Sequence, residues 1–242
     1  EAHRLFVETE KLNRDLQGIR RLAASLKGRA LETVRLVSTP TIAISVLPEA
    51  MTSWRREYPE TRCELGTHHT SEIVNALRLG EADLALSLQD PRHPGIVAEV
   101  LAQGVMTVIA PAGTWTEEEC RQPISANGLV GELIGMTDND PLGELLVASC
   151  EAQGIHPVFN TVVQTYQIAR SLVEAGAGMA VVDPFTAASA SESKLQRRAW
   201  APAIPVQLYL LTASHSPLSH VARELANSIG ATARKCIERG CQ

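Results

Sequence analysis

The sequence predicts an α/β protein of two lobes, preceded by a coiled-coil linker helix. Three observations predict it: a seven-residue apolar repeat over residues 1–28, an alternation of strand and helix patterns after it, and the return of that alternation in the second half. Strands that alternate with helices of about ten or more residues are typical of parallel sheets with right-handed crossovers. We therefore expect parallel sheets covered by helices.

The N-terminal repeat places apolar side chains on one face of a helix. Leu5, Leu12, Ile19 and Leu26 are each seven residues apart, which is the spacing of a two-stranded coiled-coil seam. We expect residues 1–28 to form a dimerising linker helix. A basic last turn followed by Gly28 predicts the end of this helix.

The remaining chain divides into two similar sets of elements. The first has strand patterns at 33–37, 62–65, 82–88 and 97–101, with helix patterns at 42–58 and 71–79. The second has strand patterns at 105–110, 133–136, 159–163, 179–182 and 206–212, with helix patterns at 142–153, 168–174 and 220–238. Pro48 should start or kink the helix over 42–58. Joins near 109–112 and 203–206 predict two lobes with a cleft between them.

Composition limits the class of function. The 242 residues carry a net charge of −5, which makes this part of the protein a poor candidate for direct nucleic-acid contact. No apolar stretch approaches the roughly 18 residues of a membrane span, so no membrane partner is expected. The five cysteines lack CxxC spacing, which argues against a disulfide framework or a zinc site and suits a reducing cytosol.

Motifs of enzymes and cofactor sites are missing from the sequence. It has no GxSxG elbow, no P-loop, no GxGxxG after a strand and no HExxH. We expect neither an enzyme nor a cofactor. Two-lobed folds of this type also serve enzymes and solute-binding proteins, and an amino-acid-binding solute-binding protein is the alternative function. The heptad helix and the lack of a secretory signal favour a regulator instead.

Six short segments occur in a characteristic order. They are Val34–Leu36, Leu47–Pro48, Tyr58–Pro59, Leu77–Leu86, Leu172–Ala180 and Val182–Pro184. With the heptad helix before them, these segments resemble the linker helix and effector-binding domain of the LysR-type transcriptional regulators. The segment 181–187 is similar to the branch of that family that senses amino acids and opines.

The resemblance implies a two-lobed periplasmic-binding-protein-like (type II) effector domain. Lobe I would comprise residues 31–109 and 206–242, and lobe II residues 110–205. It also implies an N-terminal winged helix-turn-helix domain, absent from this sequence, through which the protein would bind DNA. The family further implies a cytoplasmic homodimer or homotetramer that responds to a small-molecule effector.

Candidate ligand-binding residues in the first lobe follow its strands. Ser38 and Thr39 lie between a strand and a helix, where hydroxyls and helix N–H groups can bind a carboxylate; the alternative is a helix cap. The loop with Thr67, His69 and Thr70 occupies the equivalent place after the next strand, and the alternative there is a polar turn capped by Ser71. Adjacent histidines diverge, so no metal site is expected. Ser87 ends the third strand and is a further candidate.

Candidates in the second lobe include carboxylates. Asp138 and Asp140 follow an apolar strand and could hold an ammonium or guanidinium group, or form an Asx turn in which Asp140 caps the next helix. Gln164 and Thr165 precede a helix and could also reach the cleft. Asp183 ends a buried strand, where it binds a cation or only shapes a turn.

Taken together, these residues predict the chemistry of the ligand. The first lobe offers neutral hydroxyls and the second offers carboxylates, so we expect a zwitterionic or cationic amino-acid-like effector with its carboxylate toward Ser38 and Thr39. The sequence thus predicts a ligand-responsive transcriptional regulator in which binding shifts lobe closure or dimer packing.

Overall fold

The computed structural model describes residues 32–191 and 193–240. The predicted linker helix over 1–28 lies outside the described residues. Within them the chain forms two compact units, the first from residues 32–101 and 208–232, the second from 102–207 and 233–240. The lobe boundaries expected from the family resemblance stay a prediction.

Strands and helices alternate through most of the described chain. The strands are β1 (Thr33–Ser38), β2 (Arg62–Thr67), β3 (Leu84–Ser87), β4 (Ile96–Val105), β5 (Thr107–Pro111), β6 (Leu133–Met136), β7 (Thr161–Val163), β8 (Met179–Val182), β9 (Leu195–Ala199) and β10 (Pro205–Ala213). The helices are α1 (Pro40–Ser45), α2 (Leu47–Glu57), α3 (Thr70–Leu79), α4 (Glu117–Cys120), α5 (Pro141–Glu151), α6 (Tyr166–Glu174), α7 (Pro184–Ala188) and α8 (His220–Gly240).

The two sheets share one plan. The first has the order β2-β1-β3-β10-β4 and the second β7-β6-β8-β5-β9. β1 runs parallel to β2 and β3, and β6 runs parallel to β7 and β8. The second strand of each sheet, β1 or β6, therefore has parallel neighbours on both sides, as the alternation of strands and helices predicts.

The predicted parallel pairing holds for only part of each sheet. β10 is antiparallel to β3, and β5 is antiparallel to both β8 and β9. Strand and helix alternation fixes direction only for strands joined by a crossover helix, and these pairs join strands that no such helix connects. Both sheets are mixed.

The helix predicted over 42–58 is two helices. α1 ends at Ser45, Val46 interrupts the helix, and α2 begins at Leu47 with Pro48 in its first turn. Proline suits a first turn because its missing N–H would have no partner there. The expectation that Pro48 starts or kinks a helix is confirmed. The short elements α4, α7 and β9 were not expected from the sequence.

Helix spacing explains how the first unit buries its core. Ile73, Ala76 and Leu77 on α3 pack with Val37 and Ala85 of the sheet. The α8 residues buried in this unit follow the same spacing of three and four: Ala222, Leu225, Ala226 and Ile229. This spacing places the apolar side chains of each helix on the face that is buried in the first unit.

None of the helices in the described part of the chain has the length and apolar character that crossing a lipid bilayer requires.

A glycine turn between α6 and β8 yields a stability prediction. Gly178 has φ +131°, and a Cβ there would overlap the backbone carbonyl of Glu132, whereas a Cβ on Gly176 (φ +85°) would meet nothing within 4 Å. Gly176→Ala should cost only the left-handed backbone penalty, about 1–2 kcal/mol of unfolding free energy. Gly178→Ala should cost at least twice as much, since the overlapped atoms belong to the backbone. Urea unfolding of both variants measures this, and equal losses would contradict the packing described.

Candidate functional site

The carboxyl ends of β1, β2 and β3 lie side by side in the first unit. Ser38 at the end of β1 is in register with Thr67 on β2 and Leu86 on β3. The Thr39 N–H donates to the Leu86 carbonyl at 3.1 Å, and the His68 N–H donates to the Ser38 carbonyl at 3.0 Å. These bonds hold the three loops together at one edge of the sheet.

Four of the predicted site residues form a hydroxyl cluster at this edge: Ser38, Thr39, Thr70 and Ser87. Ser38 and Ser87 are fully buried. The Ser38 hydroxyl donates to the Thr39 carbonyl at 3.0 Å, and the Ser87 hydroxyl accepts the Gln89 N–H at 3.0 Å and lies 3.4 Å from the Thr70 hydroxyl. Ser38 and Ser87 end β1 and β3, Thr39 follows β1, and Thr70 begins α3; that these residues bind a ligand stays a prediction.

Thr39 differs from the usual capping residue. It occupies the N-cap position of α1 in an extended conformation, but its side chain makes no capping bond. Its Oγ1 is buried and has no hydrogen-bond partner. A buried hydroxyl without a partner costs about 1–3 kcal/mol, so it marks a position where a further hydrogen-bonding group would be favourable.

The remaining candidates of the first unit lie at its surface. Thr67 and His69 are exposed. The helix after them begins at Thr70, one residue earlier than predicted, with His69 rather than Ser71 at the N-cap, and the His69 N–H donates to Glu72 at 2.9 Å. His68 Nδ1 lies 3.8 Å from the same carboxylate. Among the described residues, no group of three histidine, cysteine or acidic side chains could hold a metal ion.

Three candidates of the second unit act as helix caps. Asp140 caps α5 by accepting the Gly143 N–H at 2.7 Å, and Thr165 caps α6 by accepting the Ile168 N–H at 3.3 Å. Asp183 is fully buried and accepts from the Phe185 and Thr186 N–H groups, each at 2.9 Å. The capping alternative considered for Asp140 thus describes its geometry, and Asp183, for which only a turn was considered, is also a helix cap.

Burial changes the acidity of two groups at these caps. Burial raises the pKa of Asp183 to about 6, although the hydrogen bonds from Thr186 and Phe185 lower it in part. Tyr166 donates its hydroxyl to Asp140 at 2.5 Å, and burial together with that carboxylate raises the pKa of Tyr166. Tyr166 therefore remains a neutral donor at physiological pH.

Asp138 and Gln164 are the exposed candidates of the second unit. Neither side chain has a hydrogen bond to another residue in the two described ranges. Asp138 also lines a cavity of about 430 Å³ that lies wholly within the second unit, bounded by β6, α5 and the segment from Pro157 to Val162. Both side chains are available to a ligand.

The sequence reasoning missed several polar groups of the second unit. Gln167 is buried, donates its amide to the Thr186 hydroxyl at 3.4 Å and leaves Oε1 without a partner. Nothing in the helix pattern of α6 marks this position as buried. Glu144 and Glu151 line the cavity, and their spacing with Val147 and Ala148 on one helix face could have identified them.

The sequence of this chain matches a family model and several curated proteins. Residues 27–234 match the family model described as the LysR substrate binding domain. The HTH-type transcriptional regulator DgcR of Pseudoalteromonas sp is 27% identical over 230 residues, which cover 95% of this chain and 78% of DgcR. The relatives matched in sequence are transcriptional regulators and not enzymes.

Solved structures share the fold. HinK, a LysR family transcriptional regulator from Pseudomonas aeruginosa, superposes with a TM-score of 0.69 at 19% identity, covering 92% of this chain and 79% of HinK. The BenM effector binding domain with its effector benzoate gives a TM-score of 0.69 at 20% identity, covering 83% of this chain and 91% of that domain. The fold is the type II periplasmic-binding-like α/β fold predicted from the sequence. By the match over residues 27–234, the chain belongs to the LysR family of transcriptional regulators and carries that family's effector-binding domain.

Proposed function

We propose that this effector-binding domain senses a small amino-acid-like molecule, an amino acid or an opine. The observation that carries the proposal is the buried Thr39 Oγ1, which has no partner and lies in the hydroxyl cluster at the carboxyl end of β1. Ligands of open α/β sheets bind at the carboxyl ends of the strands. A ligand carboxylate would satisfy this hydroxyl, with Ser38, Thr70 and Ser87 beside it.

The first unit also carries exposed polar side chains next to the hydroxyl cluster in sequence. Thr67 and His69 are exposed next to the cluster in sequence and are proposed as outer contacts of the effector. The buried Thr39 hydroxyl would recognise the carboxylate common to all amino acids, because a neutral hydroxyl can donate to an anion without a desolvated counter-charge. Discrimination between side chains would then depend on other groups.

The second unit supplies carboxylates and amides suited to a cationic group. Asp138 and Gln164 are exposed and have no side-chain partner in the described ranges, so they are the first choices for an ammonium or guanidinium group. Asp140, Thr165 and Asp183 already accept hydrogen bonds from helix N–H groups. We propose that these three contribute by positioning α5, α6 and α7, with any ligand contact made through their remaining lone pairs.

Regulation would follow from differential affinity. An effector shifts a regulator between two states only to the extent that it binds one of them better. We propose that the readout is DNA binding by an N-terminal winged helix-turn-helix in the cytoplasm, in a homodimer or homotetramer joined through the heptad repeat of residues 1–28. Sedimentation equilibrium of the chain tests the proposed oligomeric state. A monomer would contradict it.

The effector class can be tested by thermal unfolding. We expect basic amino acids or opines to stabilise the chain selectively, by about 2.7 kcal/mol at 100 times the dissociation constant. Benzoate and aliphatic acids without an amine serve as the matched comparison, because they carry the carboxylate alone. Equal stabilisation by these acids would refute the amino-acid assignment while leaving a carboxylate site in place.

Thr39→Val tests the proposed carboxylate site, because it should raise the unfolding free energy of the unliganded chain and lower its affinity for an amino acid. The substitution removes the unpartnered hydroxyl at nearly constant shape, so the unliganded chain should gain about 1 kcal/mol of unfolding free energy. The affinity for the best amino-acid ligand should fall about tenfold, because a hydrogen bond to a charged group is lost. Calorimetric titration and urea unfolding provide the two numbers.

Thr52→Val is the control for this prediction, since Thr52 is an exposed residue of α2 whose hydroxyl donates only to the Pro48 carbonyl. It should leave ligand affinity unchanged. A loss of stability in Thr39→Val, without any change of affinity, would mean that the hydroxyl serves the fold alone.

Asp183 gives a prediction about pH. Its folded pKa of about 6 exceeds the value of about 3.9 for an unfolded aspartate, so the folded state binds the extra proton between these values. The stability that this group contributes is therefore fully present below about pH 4 and is lost as the pH rises through 6. The wild type should lose roughly 2 kcal/mol between pH 4 and 7 relative to Asp183→Asn, which imitates the protonated form.

Urea unfolding of both chains across this pH range measures the difference. The exposed Asp90→Asn variant controls for general effects of pH. A difference between wild type and Asp183→Asn that stays constant with pH would show that the ionisation of this carboxyl is not coupled to folding.

A further inference from the structure

The carboxyl edge of the second sheet repeats the arrangement at the edge of the first. β7 and β8 both run parallel to β6, and Met136 is in register with Val163. The Thr137 N–H donates to the Val163 carbonyl at 3.1 Å. α6 begins three residues after β7 ends, and α7 begins two residues after β8 ends. The first turns of both helices therefore lie at this edge, where ligands of open α/β sheets bind.

Gln167, in the first turn of α6, carries a buried polar atom that has no partner. The residue is 8% exposed, and its Oε1 makes no hydrogen bond. In the described ranges the other buried side-chain atoms without a hydrogen bond are Thr39 Oγ1 and Arg170 Nε. Arg170 Nε lies 3.5 Å from the Glu174 carboxylate, so it has an ionic partner. Thr39 and Gln167 remain, one at the carboxyl edge of each sheet.

The neighbours of Gln167 set the orientation of its amide. Above its pKa of about 6, the Asp183 carboxylate can only accept hydrogen bonds, and the Thr186 hydroxyl donates to its Oδ2 at 2.6 Å. That bond uses the only proton of the hydroxyl, so Thr186 Oγ1 can only accept from Gln167. Nε2 therefore faces Thr186, at 3.4 Å, and Oε1 points away from it. A rotated amide would place two acceptor oxygens against each other.

The chemistry of the missing partner follows from the groups around Oε1. An amide oxygen accepts hydrogen bonds and donates none, so the partner must be a donor. Thr186 links the amide to the fully buried Asp183 carboxylate, and this negative charge favours a cationic donor over a neutral one. Thr165 and Asp183 already cap α6 and α7, which reduces the repulsion of a cation by helix N–H groups. An ammonium group meets both requirements.

We infer that Gln167 Oε1 accepts a hydrogen bond from the α-ammonium group of the effector, so that this residue distinguishes an amino acid from the carboxylic acid that lacks its amine. This role rests on the proposed function. It leaves Asp138 and Gln164 for a cationic group on the side chain of the effector. Discrimination by a buried acceptor is strong, because a ligand without the amine leaves the oxygen unpaired.

Calorimetric titration with matched ligand pairs tests this role. Arginine is paired with 5-guanidinopentanoate and lysine with 6-aminohexanoate, because the members of each pair differ only in the α-amino group. The parent chain should bind the amino acid of a pair about tenfold more tightly, as expected for one hydrogen bond to a charged group. Gln167→Met keeps the unbranched shape of the side chain. It should lower the affinity for the amino acid about tenfold and leave the affinity for the deaminated acid unchanged, so that the preference disappears.

Control variants separate this role from the carboxylate site and from folding defects. Gln122→Met replaces an exposed glutamine of the same unit and should leave both affinities unchanged. Thr39→Val should weaken both members of a pair alike, because both carry the carboxylate. Gln167→Met removes a long hydrogen bond together with an unpaired oxygen, so its urea unfolding midpoint should stay close to that of the parent.

Four results would overturn the role of Gln167. A preference for the amino acid that persists in Gln167→Met would show that another group binds the ammonium, and would leave the proposed function in place. Equal weakening of both members in Gln167→Met would show that the residue only shapes the site. A parent chain that binds both members equally, with both weakened by Thr39→Val, would leave a carboxylate site without an ammonium contact. Binding of no member of any pair would refute the proposed function as well.

Discussion

Parallel pairing of one interior strand with both of its neighbours is the constraint on which every candidate site depends. β1 in the first sheet and β6 in the second each pair in parallel on both sides. Three successive strands must then end at the same edge, and each must be followed by a loop that leads into a helix. This topology brings the polar loops of each unit to one edge, although the loops are far apart in sequence: Ser38 precedes Thr67 by 29 residues and Ser87 by 49.

Helix capping and ligand binding compete for the same side chains at such an edge. A helix that begins there has unpaired N–H groups, and short polar side chains satisfy them best. In the second unit the side chains of Asp140, Thr165 and Asp183 each accept a hydrogen bond from the helix that follows. Thr39 differs, because its hydroxyl is buried at the N-cap of α1 but accepts no hydrogen bond from a helix N–H group. The difference distinguishes a residue that a ligand could use from one already engaged.

The sequence predicted the central elements of the fold well and its irregular parts poorly. β6 and β8 have the predicted bounds, because short runs of apolar residues between turn signals define buried strands. The antiparallel partners β5 and β10 were predicted as strands but not in direction, since direction depends on contacts far apart in sequence. At the candidate site the position of a polar residue was predictable, but its hydrogen-bond partners were not. Thr39 and Asp183 each directly follow a strand and precede a helix, yet only the folded chain shows that the hydroxyl lacks a partner and the carboxyl has several.

The unpartnered Thr39 hydroxyl raises the question of why a threonine occupies this position between β1 and α1. Burying a polar atom without a partner destabilises the folded chain, and valine would fill the same volume without that penalty. Natural proteins tolerate such local costs mainly where function needs the group, because stability above a threshold brings no further advantage. Ser38 and Ser87 at the same sheet edge are also fully buried, and the first unit buries the polar residues Thr41, Thr61 and Thr232 as well. Ser38 and Ser87 have hydrogen-bond partners within the chain, so of the three hydroxyls at this edge it is that of Thr39 which the packing of the sheet edge leaves unexplained.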